Sequence, residues 1–344
     1  MDYLDLRPGS ALFAYEKPYR QLAFAAAEAG RSRAAPVDLL AVDTVAPDEL
    51  RRRLMAADKF LCAFNRTFAT GLAGHVKVMV ECGVEWPERA FTLSDISADF
   101  VRIFQADPWV IADLNARLIR TLQGGRELEV RDDRGTRLHV RFDPKYEWVN
   151  QDGFTEADYA LIMNLPMGEV ATYTPEVEGE LVFVGGLLGT IPIGRKYGPI
   201  KEPVRMSIRA GRAVEIDTSN RTLLNDLLFC LDFDHYTRQV NEIGFGTNPA
   251  ITGPVRGYNY KHEESRLGFH LGFGASLAQQ NVKRLTPHHL DLLLDDCQMY
   301  LDGKLLFDGD YRLDDFPASR GHTRLNLTSR SCCMPSQSSA CARK

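Results

Sequence analysis

The amino-acid sequence predicts an α/β plus α+β fold: an N-terminal α/β domain over residues 1–150, then a mainly β domain over residues 151–314. Three observations carry this expectation. Helical and strand-like patterns alternate as far as Glu88, as in a sheet with covering helices. Near Asn150 the character changes to glycine-rich strands interrupted by one helical stretch. A chain of 344 residues also exceeds what one hydrophobic core usually organises.

In the first part, AYEKPYRQLAFAAAEAG reads as an alanine-rich helix that stops at Gly30. VDLLAVDT is a short apolar strand. APDELRRRLMAADKF is a second amphipathic helix, with Pro47 suited to its first turn. KFLCAFN and HVKVMVECG both read as buried strands or strand ends. Asp95 to Gln123 is helical and ends at Gly124-Gly125. RELEVRDDRGTRLHVRFD then alternates as a hairpin that turns through Asp132-Asp133-Arg134-Gly135.

Beyond Asn150 the strands are GELVFVGGLL, VRMSIRAGRAVEIDT, EIGFGTNPAI, LGFHLGFGAS and HHLDLLLDDCQMYLDGKLLFDG. One helix, from Thr222 to about Gln239, interrupts them. Residues 315–344, which include SRSCCMPSQSSACARK, show no periodicity and are expected to form a disordered tail.

The composition narrows the function classes. A net charge of -5 gives no electrostatic case for nucleic acid or an anionic membrane, so the expected partner is a small-molecule or peptide substrate. No apolar run approaches the roughly 20 residues that span a bilayer. The start lacks a basic segment followed by an apolar one. Seven cysteines, none in a Cys-x2-Cys pair, fit a reducing cytoplasm better than a disulfide framework.

The strongest chemical signal is Thr286-Pro287-His288-His289-Leu290-Asp291. On a strand, residues two apart share a face, so His289 and Asp291 project together. Imidazole with carboxylate suits Zn, Mn, Fe or Co. His270, in RLGFHLGFG, sits in an apolar strand, where a lone histidine is commonly a satisfied core residue. Glu242, in VNEIGFGTNPAI, and Glu169, in NLPMGEVATYTP, head apolar runs. A buried carboxylate there needs a cation, donors or solvent. Together, three carboxylates and two imidazoles suit two cations sharing a bridging carboxylate and a water.

Other features weigh less. Arg195, Lys196, Lys201 and Arg205 could form a basic lip for a substrate carboxylate, although a solvated loop is the plainer reading. Gly185-Gly186 and Gly244-x-Gly246 lack the strand, spacing and helix of a dinucleotide fingerprint. Gly246-Thr247-Asn248-Pro249 reads as a turn beside the metal site. His235 and His262 have no partner at ligand spacing.

Taken in order, NLPMGEVATYTPEVEGELVF, NEIGFGTNPAI, RLGFHLGFG, HHLDLLL and YLDGKLLFDG resemble the thermophilic metalloaminopeptidases typified by aminopeptidases T and S. The resemblance runs from Arg126 to Gly309. It implies a β-rich C-terminal domain holding two divalent metals (Zn, Co or Mn), a homodimer, and amide cleavage at or near a free amino terminus by a metal-activated water. It puts the ligands at Glu169, Glu242, His270, His289 and Asp291, with Glu169 or Glu242 relaying the proton. One departure stands out: the family tyrosine seven residues after the strand histidine is Leu277 here. Tyr258 or Tyr260, in GYNYKHEE, could supply a phenol near the substrate.

TPHHLDLLLDDCQMYLDGK is also similar, more distantly, to the 2,5-dihydroxypyridine dioxygenases. That resemblance implies one Fe(II) held by two His and one Asp. Two of these fall on His289 and Asp291, and the third falls on Glu242. A facial triad of His270, His289 and Asp291 is chemically possible. A non-catalytic binding module that keeps the fold is a third reading, and retention of five ligand-type residues argues against it.

Overall fold

The short apolar runs of the N-terminal third lie side by side as parallel strands. In the computed structural model, which describes residues 11–316 apart from 33–36, 65–72, 86–88, 95–102, 153–162, 165–166, 192, 276–285 and 287, they form a five-stranded sheet. Its elements begin with β1 (Ala11–Tyr15), α1 (Arg20–Ser32), β2 (Val37–Ala41), α2 (Pro47–Ala56) and β3 (Lys59–Phe64). They continue with α3 (Ala73–Glu85), β4 (Ala90–Ser94) and α4 (Pro108–Gly124). The order is β2-β1-β3-β4, closed by the two-residue β8 (Met163–Asn164). Every pairing in it is parallel.

Both faces of this sheet are covered, which explains why β3 reads as a continuous apolar run. Phe13, Leu61 and Phe91 pack with Ala23 and Ala26 of α1 and Ile111 of α4. Leu12, Phe60 and Cys62 pack on the other side with Leu50 and Leu54 of α2 and Met79 and Cys82 of α3.

Three local expectations are corrected here. The first helix begins only at Arg20, after strand β1, and runs through the buried Gly30 to Ser32. HVKVMVECG is part of helix α3. His75-Val76-Lys77-Val78 mimics two-residue alternation, but buried Val78, Met79 and Cys82 share one helical face. The later helix, α5 (Arg221–Leu231), stops well short of Gln239. There the Thr237 hydroxyl donates to the Leu231 carbonyl, and Asp234 accepts from the Tyr236 and Thr237 amides, which turns the chain. Of the tail expected at residues 315–344, the part after Phe316 lies outside the described residues, as does Leu277.

The second sheet has twelve strands. They are β5 (Glu127–Arg131), β6 (Arg137–Arg141), β7 (Val149–Gln151), β9 (Glu169–Thr172), β10 (Val177–Gly189), β11 (Ile200–Arg209) and β12 (Arg212–Asp217), then β13 (Val240–Gly246), β14 (Gly268–Gly274), β15 (His289–Leu294), β16 (Gln298–Leu301) and β17 (Lys304–Asp308). The main path is β17-β16-β5-β6-β10-β15-β14-β13-β9-β7, with β11 and β12 branching from β10. Thus β5 and β6, which precede residue 150, pair into the large sheet, and β8, which follows it, pairs into the small one. The β5–β6 turn forms as the sequence predicts: Asp132 accepts from the Arg134 and Thr136 amides.

Leu118, Ile119 and Leu122 of α4 pack on the large sheet, while Ile111 of the same helix packs on the small one. This helix therefore ties the two cores together. Among the described residues, no helix is long and apolar enough to cross a membrane.

Candidate metal centre

The site arises from strict two-residue alternation on neighbouring antiparallel strands. Ile243 and Phe245 of β13, Phe269, Leu271 and Phe273 of β14, and Leu290, Leu292 and Leu294 of β15 all enter the large core. The intervening residues must face the other way. They are Glu242 and Gly244, His270 and Gly272, and His289 and Asp291. On β9 the same rule puts Val170 in the core and Glu169 on the site face.

Register then makes the ligands converge. Glu242, Gly272 and Asp291 form one cross-strand row, while His270 pairs with Gly244. Glycine is needed at both places: a Cβ on Gly272 would lie 2.7 Å from Asp291 Oδ1, and one on Gly244 would lie 1.9 Å from His270 Nε2. The glycines of these strands clear the volume that the ligand side chains occupy.

All five sequence-predicted ligands meet in two groups that share Glu242: Glu169, Glu242 and His270, then Glu242, His289 and Asp291. His270 Nε2 is 3.1 Å from Glu169 Oε1 and 3.6 Å from Glu242 Oε1. His289 Nε2 is 3.3 Å from Glu242 Oε2 and 2.8 Å from Asp291 Oδ1. One carboxylate therefore offers a different oxygen to each group.

This donor set fits divalent cations. His289 Nδ1 lies 2.9 Å from the Ala275 carbonyl, which can only accept a proton. In the neutral ring Nε2 is then a lone pair aimed at two carboxylates, an arrangement that requires a cation or a proton between them. Asp291 Oδ1 is buried, with His289 Nε2 2.8 Å away, so this pair too must share a proton or a cation. The two groups differ in access: His289 is 21% exposed, whereas the other four ligand side chains are at most 5% exposed.

Outer hydrogen bonds hold the inner group. Gln151 Nε2 donates to Glu169 Oε2 at 2.7 Å, and Asn115 Nδ2 donates to the Glu169 carbonyl at 3.1 Å. The Thr247 hydroxyl in turn donates to Asn115. Sequence reasoning missed Gln151 and Asn115, because nothing local distinguishes a polar residue on α4 or β7 from a solvated one. The turn expected at Gly246-Thr247-Asn248-Pro249 does lie beside the site, anchored by Asn248 to the Met167 carbonyl.

Without cations, the acids and imidazoles share protons. Burial pushes Glu169 up, but the hydrogen bond and charge of His270 outweigh it and bring the group to about 2. Glu242 is lifted to about 7 by burial, with Glu169 and Asp291 adding to the rise. For His289, Asp291 and Glu242 outweigh burial and raise the ring to about 9. His270 is raised well above its ordinary value by Glu169 and Glu242, again against burial. Asp291 is lowered, since His289 more than offsets its burial. Protons thus stand where cations would bind.

The remaining sequence candidates lie on two segments that pack against each other, since a Cβ on Gly198 would lie 2.6 Å from Tyr258 Cζ. Lys196 pairs with Asp226 on α5 at 2.7 Å, and Arg195 sits beside it in the four-residue helix Gly194–Tyr197. Tyr258 is exposed and holds a positive φ of 57°. Tyr260 is half-buried and stacks on His262 at 5.6 Å. Their loop is pinned by Glu263, which accepts from the Arg256 and Gly257 amides.

Fold and site together define a mixed α/β protein that carries a buried, carboxylate-rich candidate metal-ligand cluster on one face of a large antiparallel sheet. The family model for 2,5-dihydroxypyridine 5,6-dioxygenase matches residues 114–310, more than half of the chain, and the chain belongs to that family. Among solved structures it is similar to 2,5-dihydroxypyridine dioxygenase from Pseudomonas putida KT2440, with 19% identity, TM-score 0.62, and coverage of 90% of this chain and 94% of that one. It is comparably similar to wild-type AmpT, aminopeptidase T, from Thermus thermophilus, with 14% identity, TM-score 0.60, and coverage of 90% and 96%. Identities this low speak for the fold alone. No curated protein matches the sequence at a significant level. Both resemblances read from the motifs are present among these matches.

Proposed function

We propose that this chain is a two-cation hydrolase that cleaves an amide at or near a free amino terminus. The observation that carries the reading is Glu242, whose Oε1 lies 3.6 Å from His270 Nε2 and whose Oε2 lies 3.3 Å from His289 Nε2, so that this one carboxylate would serve both candidate ligand groups. A pair of divalent cations (Zn, Co or Mn), when bound, would acidify a shared water and polarise the amide carbonyl. The chain's own part is to fix that geometry. Gln151 and Asn115 hold Glu169 in place, the Ala275 carbonyl orients His289, and the partly exposed His289 marks the side from which substrate arrives. Glu169 and Glu242 are the carboxylates available to carry a proton to the leaving amine.

The second reading, a single Fe(II) held by Glu242, His289 and Asp291 in a ring-cleaving dioxygenase, is favoured by family membership. Metal analysis with paired assays separates the two. The hydrolase reading expects two cations per chain, release of an amino-terminal residue from short peptides, and loss of that release in Glu242→Ala and His289→Ala. One iron per chain with oxygen consumption on a dihydroxypyridine would overturn it.

A further inference from the structure

Gln151 on β7 and Glu169 on β9 are register partners, so both side chains stand on the ligand face of the large sheet. β7 ends the main path of that sheet, and two adjacent residues of it serve opposite faces. Asn150, opposite the core residue Val170, accepts from Asn115 Nδ2 at 2.7 Å and donates to Asp152 Oδ2 at 2.9 Å. Gln151 turns to the ligands. Its carbonyl accepts from the Gly168 amide at 2.9 Å, and its side chain donates to Glu169 Oε2 at 2.7 Å. The strand is held on both faces, which gives the Gln151 amide a defined place.

This hydrogen bond limits what Glu169 can give a cation. An ionised carboxylate only accepts, so the amide must present Nε2 to it. With Oε2 directed at Gln151, Glu169 turns only Oε1 to the ligand cluster, and that is the oxygen 3.1 Å from His270 Nε2. Glu242 likewise gives this group one oxygen, Oε1, because its Oε2 lies 3.3 Å from His289 Nε2. The inner group therefore offers two carboxylate oxygens and one imidazole nitrogen. Three protein donors with one position left open is the pattern of catalytic zinc. A Glu169 that gave both oxygens would move the set toward the six-coordinate, oxygen-rich preference of manganese.

We propose that Gln151 is a positioning residue that keeps Glu169 monodentate, and thereby makes the inner group select zinc or cobalt over manganese. The proposal rests on the two-cation reading of the site.

Cobalt reports the coordination number, since four-coordinate cobalt absorbs strongly in the visible range and six-coordinate cobalt weakly. The cobalt-loaded chain is compared with Gln151→Met, which keeps the side-chain length and removes the donor. The freed Oε2 is expected to join the cation, so visible absorption falls at unchanged metal content. The preference for zinc over manganese, read by competition against a chelator, is expected to drop by about tenfold. Gln151 is half-buried at the end of the sheet, and Gln151→Leu, a second variant without a donor, is expected to behave in the same way. Two cobalt ions per chain with unchanged absorption and an unchanged zinc-to-manganese ratio, in either folded variant, would overturn the proposal and leave the two-cation reading intact. An equal loss of affinity for zinc and manganese would overturn it too, because that is the effect of a merely structural contact. Fewer than two ions per chain in the unmodified protein would overturn the two-cation reading and the proposal with it.

Discussion

Gly272 and Asp291 are cross-strand partners on β14 and β15, and the space above Gly272 is what allows the Asp291 carboxylate to turn toward Glu242 and His289. A Cβ at Gly272 would lie 2.7 Å from Asp291 Oδ1, 2.7 Å from Glu242 Cβ and 3.1 Å from His289 Cε1. Three ligands therefore depend on one missing methyl group.

Gly272→Ala is the direct consequence to test. Overpacking here is expected to cost about 1–3 kcal/mol of stability. Its larger effect falls on metal binding, because all three displaced groups belong to the ligand cluster. Zinc titration against a competing chelator is expected to show weakening by about tenfold or more, with a folded circular-dichroism spectrum retained. Unchanged zinc affinity would mean that the cluster does not bind metal in this arrangement.

Protonation gives a second test. In the metal-free chain His289 is raised from 6.5 to about 9, because Asp291 and Glu242 outweigh burial. A group raised in the folded state contributes stability that is complete below its unfolded value and is lost as pH climbs through the folded value. Glu242, raised by burial from 4.5 to about 7, acts in the same direction over its own interval. Glu169, held near 2 by His270, acts oppositely, and only below 4.5. Urea unfolding in chelator is therefore expected to show stability falling between pH 6.5 and 9, while zinc affinity rises over that window as fewer protons must be displaced. Metal-free stability that rises across this window would contradict the proton sharing described above.

Leu292 provides the contrasting case on the same strand. It lies one residue from Asp291, is fully buried, and faces the opposite side of the sheet. Leu292→Ala is expected to lower unfolding free energy by about 2–5 kcal/mol while leaving zinc stoichiometry intact in the folded protein. A loss of metal matching that of Gly272→Ala, at a temperature where the variant is folded, would show that the two faces of β15 are not independent.

Much of this centre was legible in the chain because strand geometry is local. A two-residue period puts His289 with Asp291 and apart from Leu290 and Leu292, and it treats Glu242 and His270 in the same way. The alternating glycines around them were visible too, although their purpose was not. Local patterns misled where two periods overlap: His75-Val76-Lys77-Val78 alternates like a strand, yet its downstream partners Met79 and Cys82 bury one side of a helix against β3.

By itself, the sequence determined which side chains can be ligands and which face of each strand they occupy, because both follow from residue type and from the pleat. Tertiary structure decided what they meet. Only the register of β9, β13, β14 and β15 turns Glu242 into a carboxylate shared by two groups, and only long-range packing brings Asn115 and Gln151 to the cluster. Asn115 reaches the Glu169 carbonyl across 54 residues of chain, a separation at which no periodicity survives. The reason is physical: alternation is set by the dihedral angles of neighbouring residues, whereas cross-strand register and outer hydrogen bonds are set by how the whole sheet and its covering segments pack.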